Sequence, residues 1–270
     1  MGFIMEYREF DNFINDFCKI ESIQAIALGG SISTGRADDK SDYDFYVYYD
    51  KELDSESRSK ILSKYCKYFE LGNTFFELED SGKFNWGIEF DIIYRNIYSF
   101  TDKIMDVVEN FNSYNGFTTC FWHNLLHSKI IYDKDSIFEK LQKRFSVTYP
   151  QKLKENIIKR NMSLLSDSTI SYYKDIIKSI YRNDLVNTNN RISVFLASYF
   201  DIIFAVNELP NPGEKRLMEI CLANCNILPK DFKQNIDKLI INMDDFIIIE
   251  KVLNSMIYEL KKCCNGLTST

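Results

Sequence analysis

Two aspartates one residue apart, Asp42 and Asp44, follow a Gly29-Gly30-Ser31 turn in the segment LGGSISTGRADDKSDYDFYV, residues 28–47. The apolar run 23–28 precedes the turn and a second apolar run follows Asp42, so both read as strands. Side chains at i and i+2 of a strand share a face, and this spacing turns both carboxylates toward one point. Gly29 and Gly30 permit close approach of backbone amides to phosphate oxygens, and Ser31 has a hydroxyl to donate to a β- or γ-phosphate. Convergent carboxylates beside such a turn suit divalent-metal-dependent phosphoryl or nucleotidyl transfer.

A third acidic element lies in Gly87-Ile-Glu-Phe-Asp91-Ile-Ile-Tyr94, where Glu89 and Asp91 share one strand face. Taken alone, that alternation describes a solvated face; beside Asp42 and Asp44 it completes a site. Asp42 and Asp44 are expected to hold two metal ions and Asp91 to complete the second. Such a pair stabilises the attacking and leaving oxygens of an in-line displacement. Glu89, one pleat from Asp91, is placed to take the proton of an acceptor hydroxyl. The expected cofactors are two Mg2+ ions, with ATP or another NTP as co-substrate.

The elements that must position these groups follow from periodicity. Residues 5–20 have helical spacing (Phe10, Phe13, Ile14, Phe17), and 23–28 and 43–49 read as strands joined by the turn and a short helical piece. Residues 52–69 read as a helix with Ile61, Leu62, Tyr65 and Phe69 on one face. Strands are expected at 75–78 and 88–94, joined by a loop through Gly82 to Trp86. Beyond Gly116 helical periodicity dominates, at about 134–145, 150–184, 190–209 and 244–264. The expectation is a mixed α/β catalytic domain over 1–115, a small mixed sheet with flanking helices, followed by an all-helical domain over 116–270.

Composition narrows the function. Residues 38–91 hold 14 acids against 7 bases, while the whole chain has 39 acids and 33 bases. The acidic excess thus sits around the proposed site, which argues against a nucleic-acid groove and suits a cationic acceptor. The segment MGFIMEYREFDNF carries acids and no basic n-region, and no apolar run reaches a membrane span. Seven cysteines without a CxxC pair read as reduced thiols, and a cytoplasmic location is expected.

Gly30, Ser31, Asp42, Asp44 and Asp91 together resemble the signature of the nucleotidyltransferase superfamily of DNA polymerase beta. The resemblance covers about the first hundred residues. A short α/β domain with a helical C-terminal half is similar to the bacterial small-molecule branch, which includes aminoglycoside nucleotidyltransferases. That likeness implies a transferase acting in antibiotic resistance. In the branch that modifies streptomycin-like antibiotics a third-strand glutamate is the base, a role matched by Glu89, whereas Asp91 matches the third carboxylate of other branches. The division of labour between them stays open.

Asn207–Met218, NELPNPGEKRLM, resembles a Pro-Gly-x-Lys element of bacterial members. Lys215 then meets the triphosphate as a point charge, or it stands in solvent at a helix start. His123 and His127 are spaced i, i+4 but lack a third ligand, so they read as a packed or exposed pair. The basic residues Arg144, Lys152, Lys154, Lys159 and Arg160 read as a solvated face.

The expected reaction moves a nucleoside monophosphate from an NTP, ATP foremost, to a hydroxyl of a small molecule such as an aminoglycoside-like antibiotic, releasing pyrophosphate. Nucleotidylation of a protein or a tRNA end is the alternative acceptor, and a catalytically silent nucleotide-binding module the alternative class. The sequence does not set the acceptor or the oligomeric state.

Overall fold

The computed structural model describes residues 8–30 and 42–265. They form two compact units: residues up to Ile104 with Asn124–Ser146, and Met105–His123 with the residues from Val147 onward.

The first unit is built on a six-stranded mixed sheet. In chain order it comprises α1 (Arg8–Cys18), β1 (Ile23–Leu28), β2 (Tyr43–Tyr49), α2 (Ser55–Tyr65), β3 (Cys66–Asn73), β4 (Leu78–Phe84) and β5 (Glu89–Asn96). Then follow α3 (Ile97–Val108), of which this unit holds Ile97–Ile104, α4 (Cys120–His127), of which it holds Asn124–His127, β6 (Lys129–Asp133) and α5 (Ile137–Phe145). The spatial order is β3-β4-β5-β2-β1-β6. β2 and β5 run parallel; the other neighbours are antiparallel.

Strand alternation sorts the sheet into two faces. Ile26, Leu28, Tyr43, Phe45, Val47, Phe90, Ile92 and Tyr94 form one apolar layer with Phe10, Phe13, Phe17, Leu62 and Tyr65 from α1 and α2. Aromatic edges fill it: Phe13 meets Phe84 at 4.9 Å and Tyr65 at 5.6 Å between ring centroids, both edge-on. On the opposite face the buried Tyr48 ring packs against Phe100 of α3 and Phe138 of α5. The same face carries Asp44 of β2 and Asp91 of β5.

Several expectations needed correction. The helix expected over 52–69 ends at Tyr65, and Cys66–Asn73 forms the edge strand β3. Asp54 caps its start, accepting hydrogen bonds from the backbone of Glu56 and Ser57. Phe69 still packs on the apolar core, but from the strand, so the i, i+4 spacing from Tyr65 coincided with a change of element. Residues 74–77, partly expected as strand, form the β3–β4 turn, with Phe75 and Phe76 85% and 99% exposed. The expected loop through Gly82 starts later, because β4 continues to Phe84. β6, an edge strand paired with β1, lies beyond residue 115.

The second unit is helical: α6 (Gln151–Met162) with a π-helical turn at Ser163–Asp167, α7 (Tyr172–Tyr181), α8 (Leu185–Val206), α9 (Leu217–Asn224), α10 (Phe232–Ile241) and α11 (Phe246–Asn265). The helix expected over 150–184 is thus broken, with Ser171 capping α7. α8 supplies the centre of its core through Phe195, Tyr199, Ile202 and Ile203. Within that core Asp201 accepts hydrogen bonds from the Thr118 backbone and hydroxyl, Asn161 and Asn211. Burial, opposed by those donors, pushes its carboxyl up to about 6. Among the described residues no helix is long and apolar enough to cross a membrane.

Candidate active site

The parallel pairing of β2 with β5 sets the site. Tyr43 pairs with Phe90, Asp44 with Asp91 and Phe45 with Ile92, so the two aspartates occupy the same rung. Paired residues of neighbouring strands face the same side of a sheet, and both carboxylates therefore stand on the face opposite the α1–α2 core. Each is partly buried. The apolar residues that flank them, Tyr43, Phe45, Phe90 and Ile92, are sealed in that core and fix the orientation.

β1 brings the glycine turn to the same place. It runs antiparallel to β2, with Leu28 opposite Phe45, and the Gly29 N–H donates to the Asp44 carbonyl at 2.8 Å. Gly30 has φ +59°, the left-handed region, and a Cβ built on it would overlap the Asp44 carboxylate. Only a residue without a side chain lets the backbone come this close to Asp44. The turn and the carboxylate form one surface.

The other expected residues are distributed as follows. Asp42 is exposed and stands just before β2, outside the paired ladder. Glu89 opens β5 on the same face as Asp91; it is exposed and ion-paired at 3.2 Å with Lys83, its antiparallel partner on β4. Ser31 lies outside the described residues. Lys215 belongs to the second unit, exposed in the turn before α9. Among the described residues no group of three or more His, Cys, Asp or Glu side chains is arranged to hold a metal ion.

One carboxylate escaped the sequence reading. Glu79 on β4 pairs with Ile93, and Ser81 pairs with Asp91, which puts Glu79 on the acidic face. Its carboxyl is raised by partial burial first, then by the negative charges of Asp91 and Asp44 and, to a lesser degree, of Glu70 and Glu77. The signal was the alternation Glu77-x-Glu79-x-Ser81, hidden because the strand was expected to stop at Leu78. The adjacent Asp80 faces the other way: fully buried, it binds Arg58 at 2.6 Å, the Tyr94 hydroxyl at 2.8 Å and the Gly72 N–H at 2.8 Å. It belongs to the core and not to the site.

Such an array can bind cationic groups, or the metal-complexed phosphates of a nucleotide, and can accept a proton at its margin. Residues 12–102 match the family model described as polymerase beta, nucleotidyltransferase. Among solved structures, a nucleotidyltransferase-like protein from Exiguobacterium sibiricum 255-15 superposes with a TM-score of 0.46 at 10% identity, covering 96% of this chain and 74% of that one. An aminoglycoside 6-adenyltransferase from Bacillus subtilis gives a TM-score of 0.34 at 11% identity, covering 96% and 90%. No curated protein sequence matches the chain.

Proposed function

We propose that this chain is a nucleotidyltransferase that transfers a nucleoside monophosphate from an NTP, ATP foremost, to a hydroxyl of a small molecule, releasing pyrophosphate. The observation that carries the reading is the shared rung of Asp44 and Asp91 with the Gly30 backbone closed against Asp44. A silent copy of the fold has no chemical reason to keep like charges packed in this way.

The donor set fits magnesium. That ion keeps several waters and takes one or two carboxylates together with substrate phosphates, so a complete protein cage is not required. Asp44 and Asp91 would hold it, with Asp42 at the margin. When bound, a divalent cation supplies charge neutralisation for the triphosphate. The chain's own groups do the rest. Gly29 and Gly30 offer a backbone surface without side chains to the phosphates. Glu89, or Asp91 itself, receives the proton of the acceptor hydroxyl, and Lys83 orients Glu89 from the neighbouring strand. The acidic face around them, Glu79 included, favours an acceptor that carries positive charge, as an aminoglycoside does.

The test is a pyrophosphate-release screen with ATP and magnesium across aminoglycosides, other amino sugars and neutral sugars. Release stimulated by a cationic hydroxyl compound supports the reading. Labelling of a protein or tRNA instead, with no small acceptor active, would move the acceptor class to macromolecules. Nucleotide binding without release under any condition would leave a silent module.

A further inference from the structure

The glycine turn is held from below by side chains outside the Gly-Gly-Ser and Asp-x-Asp motifs. A Cβ built on Gly29 would run into the Tyr46 ring, so this ring is the floor on which the turn rests. Tyr46 is nearly buried, and its hydroxyl accepts a hydrogen bond from Asn124 Nδ2 at 2.9 Å. Asn124 in turn accepts at Oδ1 from Arg95 Nη1, also at 2.9 Å. Arg95 lies over the Tyr46 ring at 4.3 Å and is locked on Glu77 by three hydrogen bonds of 2.6–3.2 Å. The ring is therefore clamped at its face by a cation and at its hydroxyl by an amide. Asn124 comes from α4, beyond the matched segment 12–102.

We infer that Asn124 is a positioning residue for nucleotide binding: through the Tyr46 hydroxyl it fixes the height of the Gly29–Gly30 turn above Asp44. The inference rests on the reading of this site as the nucleotide site. Losing the amide frees the ring to swing, and the turn loses the floor that sets its distance from the carboxylate. The turn meets the phosphates and not the acceptor, so the effect falls on nucleotide affinity.

Calorimetry on the full chain with α,β-methylene ATP and magnesium tests this, because the probe cannot be cleaved at the reacting bond. The wild type binds. Asn124→Ala and Tyr46→Phe each weaken the affinity about fivefold to tenfold at unchanged stoichiometry, the value of one lost buried hydrogen bond. The double variant is no weaker than either single one, because both remove the same link. Asn124→Asp recovers most of the affinity, since a carboxylate accepts from Arg95 and from the Tyr46 hydroxyl. Wild-type binding with unchanged affinity in Asn124→Ala and Tyr46→Phe overturns the inference alone. So does reduced stoichiometry at wild-type affinity, the mark of a merely structural role. A wild type that does not bind the probe overturns the nucleotide reading, and the inference with it.

Discussion

Asp44 and Asp91 share one rung of the parallel β2–β5 pair, and Gly30 approaches Asp44 so closely that no side chain fits between them. Two carboxylates side by side repel, and the partial burial of this face strengthens the repulsion. A cationic ligand relieves it. Under the proposed function, a metal-complexed nucleotide would supply that cation.

Gly30 and Gly72 separate backbone strain from site geometry. Both have positive φ, +59° and +72°, but a Cβ on Gly72 would meet nothing within 4 Å. Gly72→Ala is expected to cost about 1–2 kcal/mol of stability, the left-handed penalty alone, and to leave nucleotide affinity unchanged. Gly30→Ala carries the same penalty and in addition forces Asp44 aside, so nucleotide binding is lost. Urea unfolding and calorimetry on the two variants check this.

Asp80 and Asp91 sit on neighbouring strands but face opposite layers. Asp80→Ala leaves Arg58 buried without its carboxylate and is expected to cost about 3–5 kcal/mol. The folded fraction should bind nucleotide as the wild type does. Asp91→Asn should show the inverse, near-normal stability with lost turnover. Chemical denaturation paired with pyrophosphate release distinguishes the two roles.

In the helical unit Asp201 predicts a pH dependence. Its carboxyl stands at about 6 in the fold, raised by burial from the ordinary 3.8. Between those two values the folded state binds more protons than the unfolded state, so stability falls as pH rises through this window. The contribution is fully present below about pH 4 and lost above about pH 6, amounting to about 3 kcal/mol. Asp201→Asn removes this slope, although it is less stable overall because its amide cannot accept from all four donors. Urea unfolding at pH 4 and pH 7 for both proteins should show the wild type losing about 3 kcal/mol more than the variant between the two pH values.

Much of the site was legible because strand alternation is a strong signal. The bounds of β1 and β2 follow directly from their apolar runs, and the pairing of Asp44 with Asp91 continues the same alternation one strand over. The rest was hidden for identifiable reasons. β3 carries Phe69 at helical spacing from Tyr65, so the helix pattern ran past its true end. β6 is five residues at a sheet edge, four of them half-buried, too short for periodicity to speak. Glu79 follows a turn whose exposed Phe75 and Phe76 imitated strand residues. The Tyr46–Asn124–Arg95 clamp joins residues far apart in the chain, and side-chain hydrogen bonds of that kind leave no local pattern.

The most direct test of the central claim follows the α-phosphorus of ATP. Wild-type protein, magnesium, a hydroxyl acceptor found active in the release screen and ATP labelled at the α-phosphate should yield labelled acceptor and unlabelled pyrophosphate in equal amounts. Asp44→Asn should reduce that transfer by at least about a hundredfold, the loss typical for removing a preorganised charge from a reaction centre, while unfolding at the wild-type midpoint. Transfer at wild-type rate by Asp44→Asn would contradict the account, because the shared rung with Asp91 would then have no part in the chemistry.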